Sequence, residues 1–271
     1  MRAKHHAHHR HQRGVTYPTT WWEKFYSILL VPCLIILAVL FFYRGPTPSP
    51  TMPVLTFGYL GFAFVQTFTR LLIAYVISLA VAIPLGLLAD RNALAERLLL
   101  PLFDIVQSVP VLAFFPIIIA FFVQFGFSDG AAIFILFLSM LWNIVFSIVS
   151  GLKTIPEDIK DAAHIFDIRG MRYTTHVLLP AIVPYLVTGS LLAWAQGWNI
   201  IIVVEVLHQY IPGGTDAQDL FGIGSVMVHA IAQGRNDIFA ASIGFLILAI
   251  AIINLLVWQN LLHYAERFKF D

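Results

Sequence analysis

Apolar residues in this chain fall in long unbroken runs, not in alternation with polar ones. Six stretches are long enough in helix to cross a hydrocarbon core of about 30 Å, which takes about 20 residues: 25–43, 71–89, 98–124, 131–152, 181–207 and 238–262. Strands of a membrane barrel would run about 10 residues and alternate. The pattern therefore predicts an all-α, polytopic membrane protein of about six transmembrane helices. The segments between the runs differ in character. Residues 45–57 carry Pro46, Pro48, Pro50 and Pro53 and read as an extended external linker. Residues 208–237 form a longer external segment. In it a Pro212-Gly213-Gly214 turn precedes a weakly amphipathic stretch, 220–231, suited to lying along the membrane surface or dipping into it.

Composition agrees with the pattern. The chain is 59% hydrophobic and 11% charged, against about 45–50% and about 25% in soluble domains, so a water-soluble fold of this size is excluded. Cys33 is the only cysteine and lies in an apolar run, which leaves no intramolecular disulfide and no thiolate metal site. The N-terminal stretch does not read as a secretory signal, because the first apolar run ends in Pro-rich sequence without a small-residue cleavage site. Lysine and arginine set the orientation. With the N-terminus inside, the internal segments carry Arg2, Lys4, Arg10, Arg13, Lys24, Arg91, Arg97, Lys153, Lys160, Arg169, Arg172, Arg267 and Lys269, and the external ones only Arg44 and Arg235. Both termini are expected to face the cytoplasm of a bacterial-type plasma membrane. Arg70 is placed at the outer end of the second helix, where it would snorkel to the surface. Trp21, Trp22, Tyr26, Tyr43 and Tyr264 flank helix ends, as amphipathic rings do at the interface. The histidines at 5, 6, 8, 9 and 11 are expected to belong to a disordered internal tail, since no companion ligands fix a metal geometry.

The longest internal loop, 153–180, is the most informative segment. Thr154-Ile155-Pro156-Glu157 has the pattern of a capping box with proline in the first turn. A short helix should follow, with Ile159, Ala162, Ala163 and Phe166 along one stripe. Gly170 is a natural stop, and 171–179 can start a second short helix. Two short helices joined by a bend make a partly apolar projection, suited to docking in a groove of a soluble partner.

Asp161-Ala162-Ala163, followed by Val177-Leu178-Leu179-Pro180, resembles the EAA loop of binding-protein-dependent ABC importer permeases. Asp161 replaces the usual Glu, Val177 the usual Ile, and Asp167 stands where the family has glycine, with Gly170 three residues later. Asp accepts a left-handed backbone better than most residues, so Asp167 and Gly170 are expected to set the bend. Thr69-Arg70-Leu71 through Ile83-Pro84-Leu85-Gly86, the run from Gln107-Ser108-Val109-Pro110 to Pro116, and Gly197-Trp198 to Glu205 resemble the branch that handles nitrate, sulfonates, taurine or bicarbonate. The resemblance covers roughly 65–207 and implies a type I importer fold divided as follows. Residues 1–24 are a cytoplasmic tail, 25–64 the first helix and external linker, 65–262 the permease core, and 263–271 a second cytoplasmic tail. The core includes the EAA loop 153–180 and the external segment 208–237.

The resemblance also implies the partners: two ABC ATPase subunits, a second permease copy or homologue, an extracytoplasmic substrate-binding protein and membrane lipid, with no nucleic acid. It implies that Asp161, Ala162, Ala163, Phe166, Asp167, Gly170 and Pro180 form the ATPase-coupling loop. The chain has no G-x-x-x-x-G-K-[ST] phosphate loop. ATP is therefore expected on a separate subunit, and this chain is expected to be no enzyme, with no cofactor, metal or catalytic residue of its own. The cargo implied is a small anion.

Candidate path residues follow from polar groups at membrane depth: Glu205, Asn199, Trp198, Ser108 and Pro110, with Gln196 on a neighbouring turn. For Glu205 two readings stay open, a group lining the path or the permease–permease interface, and a carboxylate hydrated at the outer interface. For Ser108 and Pro110 the alternatives are a helix break whose carbonyls face the path and a simple proline kink. For Asn143 and Asn254 the alternatives are a pathway group and, favoured for each, an interhelical hydrogen bond. The rival function is an ATP-independent secondary transporter or channel, which would need intramembrane ion-binding groups and often shows repeated halves.

Overall fold

A computed structural model describes residues 49–90 and 93–268, all within the unit spanning 44–271. The expected first helix, 25–43, and the His-rich tail lie outside the described residues. The elements are α1 (Phe57–Asp90), α2 (Ala93–Ser108), α3 (Phe115–Gln124), α4 (Ser128–Lys153), α5 (Glu157–Ile165), α6 (Met171–Glu205), α7 (Ile223–Ala232) and α8 (Asn236–Phe268). No strand occurs among the described residues. Four of these helices, α1, α4, α6 and α8, are long and apolar enough to cross a membrane singly. A fifth crossing is made if α2 and α3, bent by 75° at their junction, count as one span. The all-α, multi-pass architecture expected from the apolar runs is the one observed.

The boundaries differ from expectation in two places. α1 begins at Phe57, not Leu71, so Arg70 sits mid-helix and not at an end. The polar run Gln66, Thr67, Thr69, Arg70 looked like the edge of a span, but all four are buried against other helices. α6 begins at Met171, not near Ala181. The second short helix of the loop is thus the first turns of the membrane helix itself, joined through a π-helical segment, Thr174–Leu178. Finally, 220–231 is largely buried among other helices of the chain, which neither expected placement, along the membrane surface or dipping into it, specified. α7 inserts Ile223, Val226, Met227 and Ala230 into a core with Leu60, Ala63, Phe221 and Ile238.

α4 is the central helix. Of its most apolar stretch 61% is buried within the chain, against 6% for α8, whose Ile247, Leu248, Leu255 and Leu256 face outward. Inside a bilayer the lipid is as apolar as leucine, so helices associate through close packing and not through water exclusion. α4 and α6 achieve this with glycine. A Cβ on Gly189 would collide with Ser147, and one on Gly197 with Met140 and Leu71.

Candidate functional site: loop, cleft and ionic node

Three regions hold the candidate residues. The first is the loop between α4 and α6. Thr154 does not form the expected capping box. Its hydroxyl donates back to the Gly151 carbonyl and finishes α4, and α5 starts at Glu157 behind Pro156. Glu157 and Asp158 in the first turn complement the helix dipole there. The bend is built by Asp167, the single non-glycine residue with positive φ (+53°) among the described residues. Ile168 N–H donates to the Ala163 carbonyl (2.8 Å) and Asp167 N–H to that of His164 (3.1 Å). These two bonds define a Schellman cap with Asp167 in the left-handed position. The helix ends at Gly126 and Gly234 carry the same pair of bonds, there with glycine. Gly170, at φ +59°, then opens α6. Ala163 turns inward and is buried, Ala162 is half-buried and Asp161 exposed, so the expected stripe is split between a packed and an open side. Ile165, Phe166 and Met171 stand 81%, 76% and 77% exposed at the tip. Pro180 lines a cavity of about 330 Å³ with Ile159, His176 and Arg267.

The second region is a cleft of about 360 Å³ where the α2–α3 break meets α4 and α6. Gln107, Pro110, Ser139, Trp142, Asn143 and Gln196 are among its walls. Ser108 and Pro110 belong to a true break. The chain leaves helix at Val109 and Pro110, and local bonds from Val109 N–H to the Val106 carbonyl and from Ala113 N–H to the Pro110 carbonyl close it. Ser108 donates to the Asp104 carbonyl. Asn199 is exposed, and Trp198 stacks on Phe64 (5.9 Å, 10° between planes) in an aromatic group with Trp194.

The third is a buried ionic node. Glu205, at the C-terminal end of α6, is 0% exposed. Arg70 Nη1 donates to its Oε1 (2.9 Å) and to the Phe221 carbonyl (3.0 Å), while Arg70 Nε donates to Asp129 Oδ1 (2.7 Å). Thr67 donates to Glu205 Oε1 (2.6 Å), and Gly224 N–H to Oε2 (2.8 Å). A carboxylate at its own helix's C-terminus is disfavoured by the dipole, and here the N-terminus of α7 and Arg70 offset that. A Cβ on Gly222 would strike the carboxylate, so this approach requires glycine. Arg70 is therefore not a snorkelling residue; it is held at 3% exposure by two acids. Glu205 is neither hydrated nor open to a cavity within this chain, because its oxygens are spent on α1 and α7.

Helices in this order, around a loop and a broken span, fit the comparisons with known proteins. Over residues 82–264 the chain matches the family described as binding-protein-dependent transport system inner membrane component. The chain belongs to this family. Relatives within it include the nitrate import permease protein NrtB of Leptolyngbya laminosa, 32% identical over 69% of this chain and 63% of that one. The bicarbonate transport system permease protein CmpB of Synechococcus elongatus is 30% identical over 55% and 52%. The chain thus spans about half to two thirds of the length of these relatives. A chain of the MetNI methionine ABC transporter, in inward-facing conformations, superposes with a TM-score of 0.66 at 18% identity, covering 79% of this chain and 99% of that chain. That likeness fixes an ABC importer permease fold.

Within this permease fold Asp161, Ala162, Ala163, Phe166, Asp167 and Gly170 share one projection, Pro180 lies within α6, and Pro110 lines the cleft while Ser108 closes α2 beside it. Glu205 and Trp198 lie apart from that cleft. Asn143 faces the cleft without an interhelical partner among the described residues, and Asn254 accepts from Gln259 of its own helix. Sequence reasoning missed one cluster, in the 208–237 segment. Asp219 accepts from His208 (2.8 Å) and His229 (2.9 Å), and Asp216 lies 3.7 Å from His208. His208, Asp216 and Asp219 are close enough to share a metal ion, but both Asp219 oxygens already accept hydrogen bonds, including one from the His208 N–H. The arrangement is a hydrogen-bonded tie between this segment and α7.

Proposed function

We propose that this chain is the permease subunit of an ATP-driven, binding-protein-dependent importer of a small anion. Its 153–180 loop docks on a separate ABC ATPase at the cytoplasmic face, and both termini lie on that side. The observation that carries the reading is the loop itself. A capped, two-sided projection presents Ile165, Phe166 and Met171 81%, 76% and 77% exposed side by side. Large apolar side chains clustered on a loop mark a protein contact, and the family supplies its kind. In this reading Ile165, Phe166 and Met171 enter the ATPase groove. Asp161 and Ala162 border it, while Ala163, Asp167 and Gly170 hold the shape. The α2–α3 break with Ser108 and Pro110 borders the path, Asn199 faces a second permease copy, and Glu205 and Trp198 hold the walls. The nitrate and bicarbonate permeases among the relatives support a monovalent anion as cargo. An ion-coupled secondary carrier would present its intramembrane carboxylate to a cavity, and Glu205 is 0% exposed and ion-paired.

The test is gentle purification of a tagged copy from its own host, with mass spectrometry of what is retained. A stoichiometric P-loop ATPase that is lost in the Ile165→Ser/Phe166→Ser variant is the expected result. A protein that purifies alone and moves solute in ATP-free vesicles would overturn it.

A further inference from the structure

The cleft at the α2–α3 break holds polar side chains but no charged one. Gln107, Ser139, Asn143 and Gln196 are its polar walls. Two of these are committed elsewhere. Ser139 donates to the Ile135 carbonyl (2.9 Å), and Gln107 Nε2 donates to Asp104 Oδ1 (2.9 Å). Asn143 on α4 and Gln196 on α6 have no protein partner among the described residues, so two carboxamides from adjacent helices open onto one cavity. Unpaired amides at membrane depth are costly unless water or a solute satisfies them. We propose that Asn143 and Gln196 are the specificity-determining residues of the path, and that they select a monovalent oxyanion by hydrogen bonds from neutral amides, with no fixed positive charge. This rests on the importer reading above.

The physical case is one of release as well as of entry. A lysine or arginine in a low-dielectric cleft would hold an anion strongly, whereas conduction needs binding weak enough to leave. Arg70, buried among the helices, is already paired with Glu205 and Asp129. Carboxamide N–H groups replace the water that a small anion sheds and add no net charge. The same carboxamides present oxygen to a cation by flipping, so the choice of an anion rests on the importer reading and its nitrate and bicarbonate relatives.

The test bypasses the binding protein, whose own selectivity would mask that of the cleft. Ile200, which lines the cleft, is replaced by cysteine in a Cys33→Ser background, and the assembled complex is studied in lipid vesicles. Its thiol is modified with an anionic sulfonate-bearing methanethiosulfonate and, separately, with a cationic trimethylammonium one. Both rates are normalised to a free thiol. The anionic reagent should be favoured, and Asn143→Leu/Gln196→Leu should reduce that preference by about tenfold, while Gln196→Asn preserves most of it. If the double variant does not assemble, Gln196→Leu alone, at an exposed position, should show a smaller drop in the same direction. A preference for the cationic reagent, or one that either leucine variant leaves unchanged, overturns the proposal. Uptake of isotopically labelled nitrate and bicarbonate by the complete importer is measured in parallel. Anion preference carried by the amides without any ATP-driven uptake would sink the importer reading and support the amide assignment.

Discussion

The ionic node and the loop between α4 and α6 lie at opposite ends of α6, and they handle side chains in opposite ways. At the node every strongly polar group has been matched: Arg70 to two acids, Glu205 to a guanidinium, a hydroxyl and a helix N-terminus. At the loop three large apolar side chains have been left bare. Burying a charge at membrane depth is tolerable only when its partner comes with it, so the node is complete within one chain. Ile165, Phe166 and Met171 lie bare side by side in the single chain, which suits the docking role proposed for the loop. The difference separates what this chain does for itself from what it does for a partner.

The largest expected effect breaks the node. Arg70→Leu strands Glu205 in a sealed site and should cost about 3–5 kcal/mol, the usual loss when one partner of a buried pair is removed. Thermal unfolding of the protein in detergent measures it. Replacing both, as Arg70→Met with Glu205→Leu, should recover much of that stability. A loss below about 1 kcal/mol in the single variant would mean the node is not structural.

The loop should respond the other way. Phe166→Ala is expected to leave unfolding within about 0.5 kcal/mol but to weaken ATPase binding by about 2 kcal/mol, as for an interface anchor. Titration of the purified permease with its ATPase reads this. Ala162→Glu and Ala163→Glu sharpen the contrast inside one helix. Ala163 is buried, so its glutamate should lower stability by about 1–3 kcal/mol, whereas that at half-buried Ala162 should act mainly on docking. Equal unfolding losses for the two would erase the two-sidedness assigned to α5.

What the sequence made legible follows the same division. The long spans were readable because a membrane demands unbroken apolar runs, and the loop because its signals are local: Asp167 and Gly170 mark the bend within a few residues. The node was not readable in that way. Arg70 and Glu205 each look anomalous in an apolar run, yet they lie 135 positions apart, and nothing local says that one answers the other. Treating Arg70 as the end of a helix also cost the first turns of α1. Two opposite charges, each stranded in a span, were the available clue. Asn143 was misread as interhelical glue because its neighbours in space come from the α2–α3 break and α6, which its own helix does not announce.

The smallest expected effect concerns Asp167. The left-handed conformation costs a non-glycine residue about 1 kcal/mol, whereas Gly126 and Gly234 hold the same cap freely. Asp167→Gly removes an exposed ion pair with Arg169, worth about 0–1 kcal/mol, and should still firm the bend by a few tenths. Slower hydrogen exchange at the Ile168 N–H, which donates to Ala163, is the expected sign; faster exchange would mean that the Arg169 contact outweighs the backbone.

Because α6 runs as 35 residues from Met171 to Glu205, loop and node are the two tips of one lever about 50 Å long. A rocking of about 5° about its middle would carry each tip by about 2 Å. In the importer proposed above, motion imposed at Met171 would then tug on Glu205, and through it on Arg70 and the N-terminus of α7. The buried charges would act as the hitch by which a pull at the loop end of α6 is felt at α7.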